Sequence, residues 1–328
     1  MDENIQKFLF LGVMILVVVF SGRSLVHGPT AKTAPLGAVA LARLEPPPLF
    51  VLAPPDVARP AEQPANQTFI ESDEVVATPR FYRHGDDPPP EIAARAALVG
   101  DLLSGEVFWG SNTEERWLLA SITKLMTAAV VSRNMPLNQS TTIIESDFRA
   151  ESSEQNASSG SRFTVGDFMR AMLLASSNES AEAAARIYGR DNFLAKMNAN
   201  AREWGLNDTF FDDPTGLSAS NQSTAADLLK LSGYLYNRYP EIFKITRKPS
   251  VFIADLNSGK NILIKNINNF AGRADFLGGK TGYTDEASGN LLSIFSYKER
   301  PITIIVLGTE DRFGDMEKLL NWFESNYK

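Results

Sequence analysis

Three short patterns in this 328-residue chain set nucleophilic and basic groups close together. The first lies in residues 118–131, LLASITKLMTAAVV, an almost wholly apolar or small stretch that carries one ammonium, Lys124, three positions after Ser121. Residues i and i+3 share a helical face, so a helix beginning near Ser121 sets hydroxyl and amine side by side. The second pattern is Ser176-Ser-Asn178 and the third is Lys280-Thr281-Gly282. What they can do is narrowed by what the chain lacks. It has no cysteine, and its two histidines, His27 and His84, precede the sequence that reads as folded. Thiolate nucleophiles, Ser-His-Asp catalysis and the usual histidine zinc hydrolases are therefore excluded. A lysine can replace imidazole where burial and neighbouring cations disfavour its charged form. A serine hydroxyl is a poor nucleophile without such a base, which makes Lys124 a candidate acceptor for the Ser121 proton.

Each pattern also has a plainer reading. A capping serine and a lysine whose stem lies along apolar surface give S-x-x-K too. Ser176-Ser-Asn178 suits the end of a helix, or a serine and an amide entering a cleft. Lys280-Thr281-Gly282 suits a strand edge, with Gly282 placed where something approaches the backbone closely.

The elements that must carry these groups can be read from periodicity. Two β-like runs, 96–101 and 106–109, flank Leu102-Leu-Ser-Gly105, whose Ser-Gly pair predicts a hairpin turn. A helix follows at Ser121. Thr164 with Asp167 three later announces a second helix through FMRAMLLA to about Ala175, stopping at Ser176-Ser-Asn178. Alanine-rich helical sequence resumes at Ser180, and amphipathic segments cover 192–204 and 224–236. Residues 290–297 and 301–308, separated by Lys298-Glu-Arg300, read as an antiparallel hairpin, and a final helix spans 315–327. Strands at both ends with helices between them imply a mixed α/β fold: one antiparallel sheet assembled from distant segments, flanked by helices, with a helical subdomain inserted. No internal repeat is evident.

The preceding residues differ in kind. An apolar run from Phe8 to Phe20 fits a signal-peptide core, and its extension from Ile5 to Gly22 allows a thin bilayer crossing. The lack of an A-x-A site and the leading charges Asp2, Glu3 and Lys7 favour an uncleaved anchor over a cleaved signal, and either one exports the chain. Proline- and alanine-rich sequence then runs to about residue 90, with EPPP, RPAEQP and DDPPP. Such a stalk, roughly 60 residues at about 3.1 Å each, reaches on the order of 190 Å when polyproline-like. The expected organisation is thus anchor or signal peptide at 1–28, linker at 29–90 and one folded domain at 91–328. A net charge of -7 excludes a phosphate-backbone binder, so no nucleic-acid partner is expected.

The ordered set S-x-x-K, S-x-N, K-T-G resembles that of the penicillin-binding serine peptidases. The surrounding ASITKLMTA, FTVGDFMRAMLLASSNESA, MNANAREWGLNDTFFDDPTGL, STAADLLKLSGYLY and GGKTGYTDEASGNLL are similar to the low-molecular-mass D-alanyl-D-alanine carboxypeptidases across nearly all of 91–328. The resemblance implies a β-lactamase/transpeptidase-like fold and an acyl-enzyme on Ser121, formed from peptidoglycan stem peptides and equally from β-lactam inhibitors. It gives Lys124 the role of base, Ser176 that of proton relay to the leaving amine, and Asn178 that of holding Lys124 or the substrate amide. The N–H groups of Ser121 and Tyr283 would form the oxyanion hole. Lys280 and Thr281 would hold the terminal carboxylate, with Arg312 as a second contact; Arg312 also reads as a surface residue near a helix start. No cofactor or metal is implied. Two departures stand out: Tyr283 occupies the place where many relatives carry histidine, and the chain stops at Lys328, where many continue into a β-rich domain and an amphipathic membrane helix. Membrane attachment is therefore expected at the N-terminus. A DD-endopeptidase on the same site and a non-catalytic wall- or penicillin-binding module are the alternatives. No E-x-x-L-N-type deacylating glutamate is found, which argues against a β-lactamase.

Overall fold

The computed structural model describes residues 80–148 and 158–328. The expected anchor and the linker as far as residue 79 lie outside the described residues. Among the described residues no helix is long and apolar enough to cross a membrane.

The expected first hairpin is formed by β1 (Ala96–Asp101) and β2 (Val107–Ser111). Asp101 fixes its turn, accepting the N–H groups of Leu103 and Ser104 at 2.8 Å each and pairing with Arg300. β3 (Trp117–Leu118) leads into a 3₁₀ turn, Ala120–Thr123, and then into α1 (Lys124–Asn134). β4 (Ser140–Thr142) and β5 (Arg162–Thr164) pair and deliver the chain to α2 (Val165–Leu174), where Thr164 caps the Asp167 N–H at 3.1 Å. Next come α3 (Asn178–Tyr188), α4 (Arg190–Glu203), β6 (Gln222–Ser223), α5 (Ala225–Arg238) and α6 (Pro240–Thr246). The hairpin of β7 (Ser250–Ala254) and β8 (Asn261–Lys265) precedes β9 (Phe276–Thr284), β10 (Ser288–Tyr297) and β11 (Arg300–Thr309), and α7 (Arg312–Asn326) follows.

The main sheet has the order β2-β1-β11-β10-β9, antiparallel throughout. Both of its faces are buried, which is why β10 and β11 read as near-continuous apolar runs. Side chains alternate between faces along a strand. Leu98, Leu292, Ile294, Ile305 and Leu307 join the helical side with α1, α2, α3 and α5. Val99, Leu291, Phe295, Ile302, Ile304 and Val306 join the opposite side with Met316, Leu319 and Phe323 of α7. The helical layer is thus inserted between the first hairpin and the last three strands, as expected.

Three expectations are corrected. The helix expected at Ser121 begins at Lys124, because Ala120 has φ 45° and the chain first makes a 3₁₀ turn. Helical sequence resumes at Asn178 rather than Ser180, and Ser177 caps the start of α3 by accepting the Ser180 N–H at 3.1 Å, not the end of α2. The linker boundary at 90 falls too late: Phe81 packs on Phe108, Tyr297 and Phe323, while Tyr82 and Lys328 exchange backbone hydrogen bonds of 2.9 and 3.1 Å. Phe81 gave those residues a side chain to bury, while Tyr82 beside it stays exposed. The sequence reading did not foresee α6 or the β7–β8 hairpin.

Candidate active site

The helical layer meets the β9 edge of the sheet at a cleft of about 520 Å³, lined among others by Ser121, Ser176, Asn178, Thr281, Tyr283 and Arg312. Three separate pieces of chain converge there. The 3₁₀ turn and α1 bring Ser121 and Lys124, the α2–α3 junction brings Ser176 and Asn178, and β9 brings Lys280, Thr281 and Gly282.

Local backbone geometry sets the first pair. In a 3₁₀ turn residues i and i+3 eclipse, and the Lys124 Nζ lies 2.8 Å from the Ser121 Oγ. Lys124 has 0 % exposure. Its other two contacts are the Asn178 Oδ1 and the Thr215 carbonyl, each at 2.7 Å. Both are acceptors only, so a neutral amine satisfies them with its two N–H bonds and turns its lone pair toward the one partner that can donate, the Ser121 hydroxyl. Burial lowers the Lys124 pKa from 10.5 to about 7, while the carboxylates of Asp213, Glu179 and Glu182 oppose that fall.

The opposite wall holds a second buried lysine. The Lys280 Nζ donates to the Ser176 Oγ at 3.0 Å and to the Thr281 carbonyl at 2.8 Å. Its burial, with Lys124 and Arg312 nearby, drives its pKa well below the usual lysine range. Arg312, at the first turn of α7, is half-buried and donates from Nη1 to the Gly282 carbonyl at 2.8 Å. It belongs to the cleft wall and is no isolated surface residue. Tyr283 stands at the rim, 61 % exposed, with its hydroxyl 3.3 Å from Asp285.

Gly282 is where backbones meet. A Cβ there would lie 2.7 Å from the Leu119 carbonyl and 3.2 Å from the Ser121 N, so only glycine lets β9 run this close to the serine turn. Ala120 and Ser176 have φ of 45° and 63°, a left-handed geometry that costs on the order of 1 kcal/mol for a side-chain-bearing residue. The surrounding contacts hold both in place.

Several supporting residues escaped the sequence reading. Asn290, fully buried on β10, donates to the Leu118 and Leu119 carbonyls at 2.8 and 3.1 Å, anchoring the chain that enters the serine turn. Asn221 donates to the Thr123 Oγ1 at 3.1 Å, and its own carbonyl accepts the Leu119 N–H at 2.9 Å. Thr215 supplies the carbonyl on Lys124. The segment DDPTGL carried the only sequence signal, an aspartate two residues before a threonine, a pattern of side-chain-bonded turns.

The family model described as D-alanyl-D-alanine carboxypeptidase matches residues 84–311. A D-alanyl-D-alanine endopeptidase of Pseudomonas aeruginosa is 31% identical over 257 residues, 73% of this chain and 82% of that protein. The D-alanyl-D-alanine carboxypeptidase DacC of Escherichia coli is 29% identical, over 71% of this chain and 62% of its own length. Among solved structures, a D-alanyl-D-alanine carboxypeptidase from Mycobacterium tuberculosis superposes with a TM-score of 0.68 at 28% identity, covering 74% of this chain and 95% of that one. A cefotaxime-bound penicillin-binding protein from Listeria monocytogenes gives 0.65 at 29%, covering 72% and 98%. With its motif set gathered in one cleft and the family model spanning most of the folded part, the chain belongs to the D-alanyl-D-alanine carboxypeptidase family of penicillin-binding serine peptidases.

Proposed function

We propose that the protein hydrolyses the terminal D-alanyl-D-alanine bond of peptidoglycan stem peptides through an ester on Ser121. The observation that carries this reading is the buried Lys124 amine, 2.8 Å from the Ser121 hydroxyl with only acceptors for its other contacts. Ser121 Oγ attacks the carbonyl carbon of the penultimate D-alanine while Lys124 takes the hydroxyl proton. The oxyanion would lie against the N–H groups of Ser121 and Tyr283, a role supported by the close approach of β9 to the serine turn at Gly282. As the C–N bond breaks, the proton held by Lys124 passes to the leaving amine by way of the Ser176 hydroxyl, which lines the same cleft and accepts from Lys280 at 3.0 Å. Water then attacks the ester, Lys124 takes its proton and returns it to the Ser121 oxygen as the acyl C–O bond breaks, and the shortened peptide leaves as an acid that ionises in solvent. Lys280, Thr281 and Arg312 receive the carboxylate of the departing residue, and Asn178 holds Lys124. A β-lactam enters by the same attack and stays as a slowly hydrolysed ester, which suits a family with cefotaxime- and ampicillin-bound members.

A soluble peptide ending in D-alanyl-D-alanine tests this directly: one D-alanine should be released per peptide cleaved, and Ser121→Ala should release none. A second reading, DD-endopeptidase, is favoured by the endopeptidases of Pseudomonas aeruginosa and Escherichia coli, which this chain matches over 82% and 79% of their length. Digestion of purified sacculi separates the two, because an endopeptidase turns cross-linked dimers into monomers and a carboxypeptidase shortens pentapeptides. In either case the work lies outside the cytoplasm. Residues 1–28 would serve as the anchor and the proline-rich segment as the spacer. Membrane fractionation with N-terminal sequencing checks this, and a soluble mature chain beginning beyond Ser21 would refute the anchor.

A further inference from the structure

The loop between α4 and β6 carries a buried carboxylate that the chemistry above leaves unused. Asp213 is 7 % exposed, and its side chain is saturated by neutral donors. Its Oδ1 accepts the Thr215 N–H at 2.6 Å, the Thr215 hydroxyl at 2.7 Å and the Gly216 N–H at 2.6 Å, while Oδ2 accepts the Ser218 N–H at 2.5 Å. Four hydrogen bonds from one carboxylate fold the loop around it. That loop is the support of Lys124: Thr215 places its carbonyl on Nζ, Pro214 accepts the Thr127 hydroxyl of α1 at 2.6 Å, and Gly216 presses on the Ala120 carbonyl so closely that a Cβ would collide with it.

Charge adds to position. Burial alone would raise the Asp213 pKa, but the Thr215 hydroxyl and the loop N–H groups outweigh it and hold the group below the usual carboxylate range, hence anionic. The groups facing Lys124 are Asp213 from this loop, Glu179 and Glu182 from α3 and Lys280 from β9. Glu182 is paired with Arg190 at 3.1 Å, and one oxygen of Glu179 accepts the Ser177 hydroxyl at 2.9 Å. Asp213 forms no ion pair among the described residues, and of the three carboxylates it acts most strongly on Lys124.

Resting on the assignment of Lys124 as the base, we propose that Asp213 is its positioning residue: it shapes the loop that fixes the amine, and its charge stabilises the lysine cation formed when Ser121 gives up its proton. Asp213 transfers no proton itself. It acts on a charge that develops during reaction, where a fixed anion in a dry site has its largest effect.

The test is the pH dependence of Ser121 acylation by a fluorescent penicillin, with thermal melting to confirm folding. Removing the anion lowers the lysine pKa, so in Asp213→Asn the acid limb should move down by about one pH unit. The plateau should fall roughly 10- to 100-fold, because the weaker base accepts a proton less readily. Asp213→Glu keeps the charge but cannot fit the four-donor cradle: its limb should stay in place while its plateau falls about tenfold. A folded Asp213→Asn whose limb does not move overturns the proposal, however slow the variant. If Asp213→Asn does not fold, Asp213→Glu decides, and a wild-type plateau in that variant overturns it. Failure of the base assignment looks different, since Lys124→Arg would then acylate at the wild-type rate and the wild-type profile would lack an acid limb.

Discussion

The two walls of the cleft each bury a lysine, at 0 % and 1 % exposure, yet their electrostatic surroundings are opposite. On the α1 wall, the burial of Lys124 is countered by Asp213, Glu179 and Glu182, which leaves its pKa at about 7. On the β9 wall, nothing counters the burial of Lys280; Lys124 and Arg312 push in the same direction and drive its pKa well below the lysine range. One side chain type is thereby given two tasks. A lysine balanced near neutrality can take and return a proton within each turnover. A lysine whose charged form is disfavoured by burial and by neighbouring cations gains most from an arriving anion, which suits a receptor for a carboxylate. Burial alone does not distinguish them; the neighbouring carboxylates do.

The largest effect should come from removing the exchangeable proton on the α1 wall. Lys124→Arg keeps a cation but cannot give up its proton, so Ser121 acylation should fall by at least about a hundredfold, nearly as far as in Lys124→Ala. A variant retaining more than about a tenth of the rate would make the α1 lysine as purely electrostatic as its partner, and the contrast would disappear. In the wild type only the neutral amine accepts a proton, so acylation should rise as pH passes upward through about 7.

Gly216→Ala attacks the support of the same wall. With φ of 91° and the Ala120 carbonyl in the way, the variant should lose about 2–4 kcal/mol of stability, read as a lowered melting temperature. An unchanged melting temperature would mean that the loop does not press on the serine turn.

On the β9 wall the expected loss is smaller. Lys280→Ala should slow acylation on the order of tenfold, chiefly by raising the substrate concentration required, while the protein stays folded. The finest effect is a proton: an arriving carboxylate favours the charged form of Lys280, so titration calorimetry in buffers of differing ionisation enthalpy should report more proton uptake in the wild type than in Lys280→Ala. Equal uptake in both proteins would assign it elsewhere.

How legible each wall was in the sequence follows from how local its determinants are. The hairpins at 96–111 and 288–309 announce themselves by apolar runs interrupted by turn residues, because both sheet faces are buried. Ser121 and Lys124 were visible because the chain lacks cysteine and any histidine later than His84, and Asn178 and Lys280 because the ordered S-x-x-K, S-x-N, K-T-G set resembles that of the penicillin-binding serine peptidases. Asp213, Asn221 and Asn290 were not, since an isolated polar residue takes its meaning from backbone groups far along the chain. Asn290 reaches carbonyls at 118 and 119, a pairing no local pattern encodes. The 3₁₀ turn at Ser121 was hidden for the same reason: the left-handed Ala120 beneath it is held by Gly216 and Gly282, both distant in sequence. The end of the linker was misplaced because the prolines around Phe81 outweighed that one buried aromatic.

The central claim is that Ser121 is the nucleophile activated within this cleft, and the adduct itself is its most direct test. Protein incubated with benzylpenicillin at about pH 8, where Lys124 is mostly neutral, should gain the mass of one penicilloyl group, and peptide mapping should place it on Ser121. Ser121→Ala should gain none. An adduct that survives this substitution, or that maps to Ser176, would contradict the account.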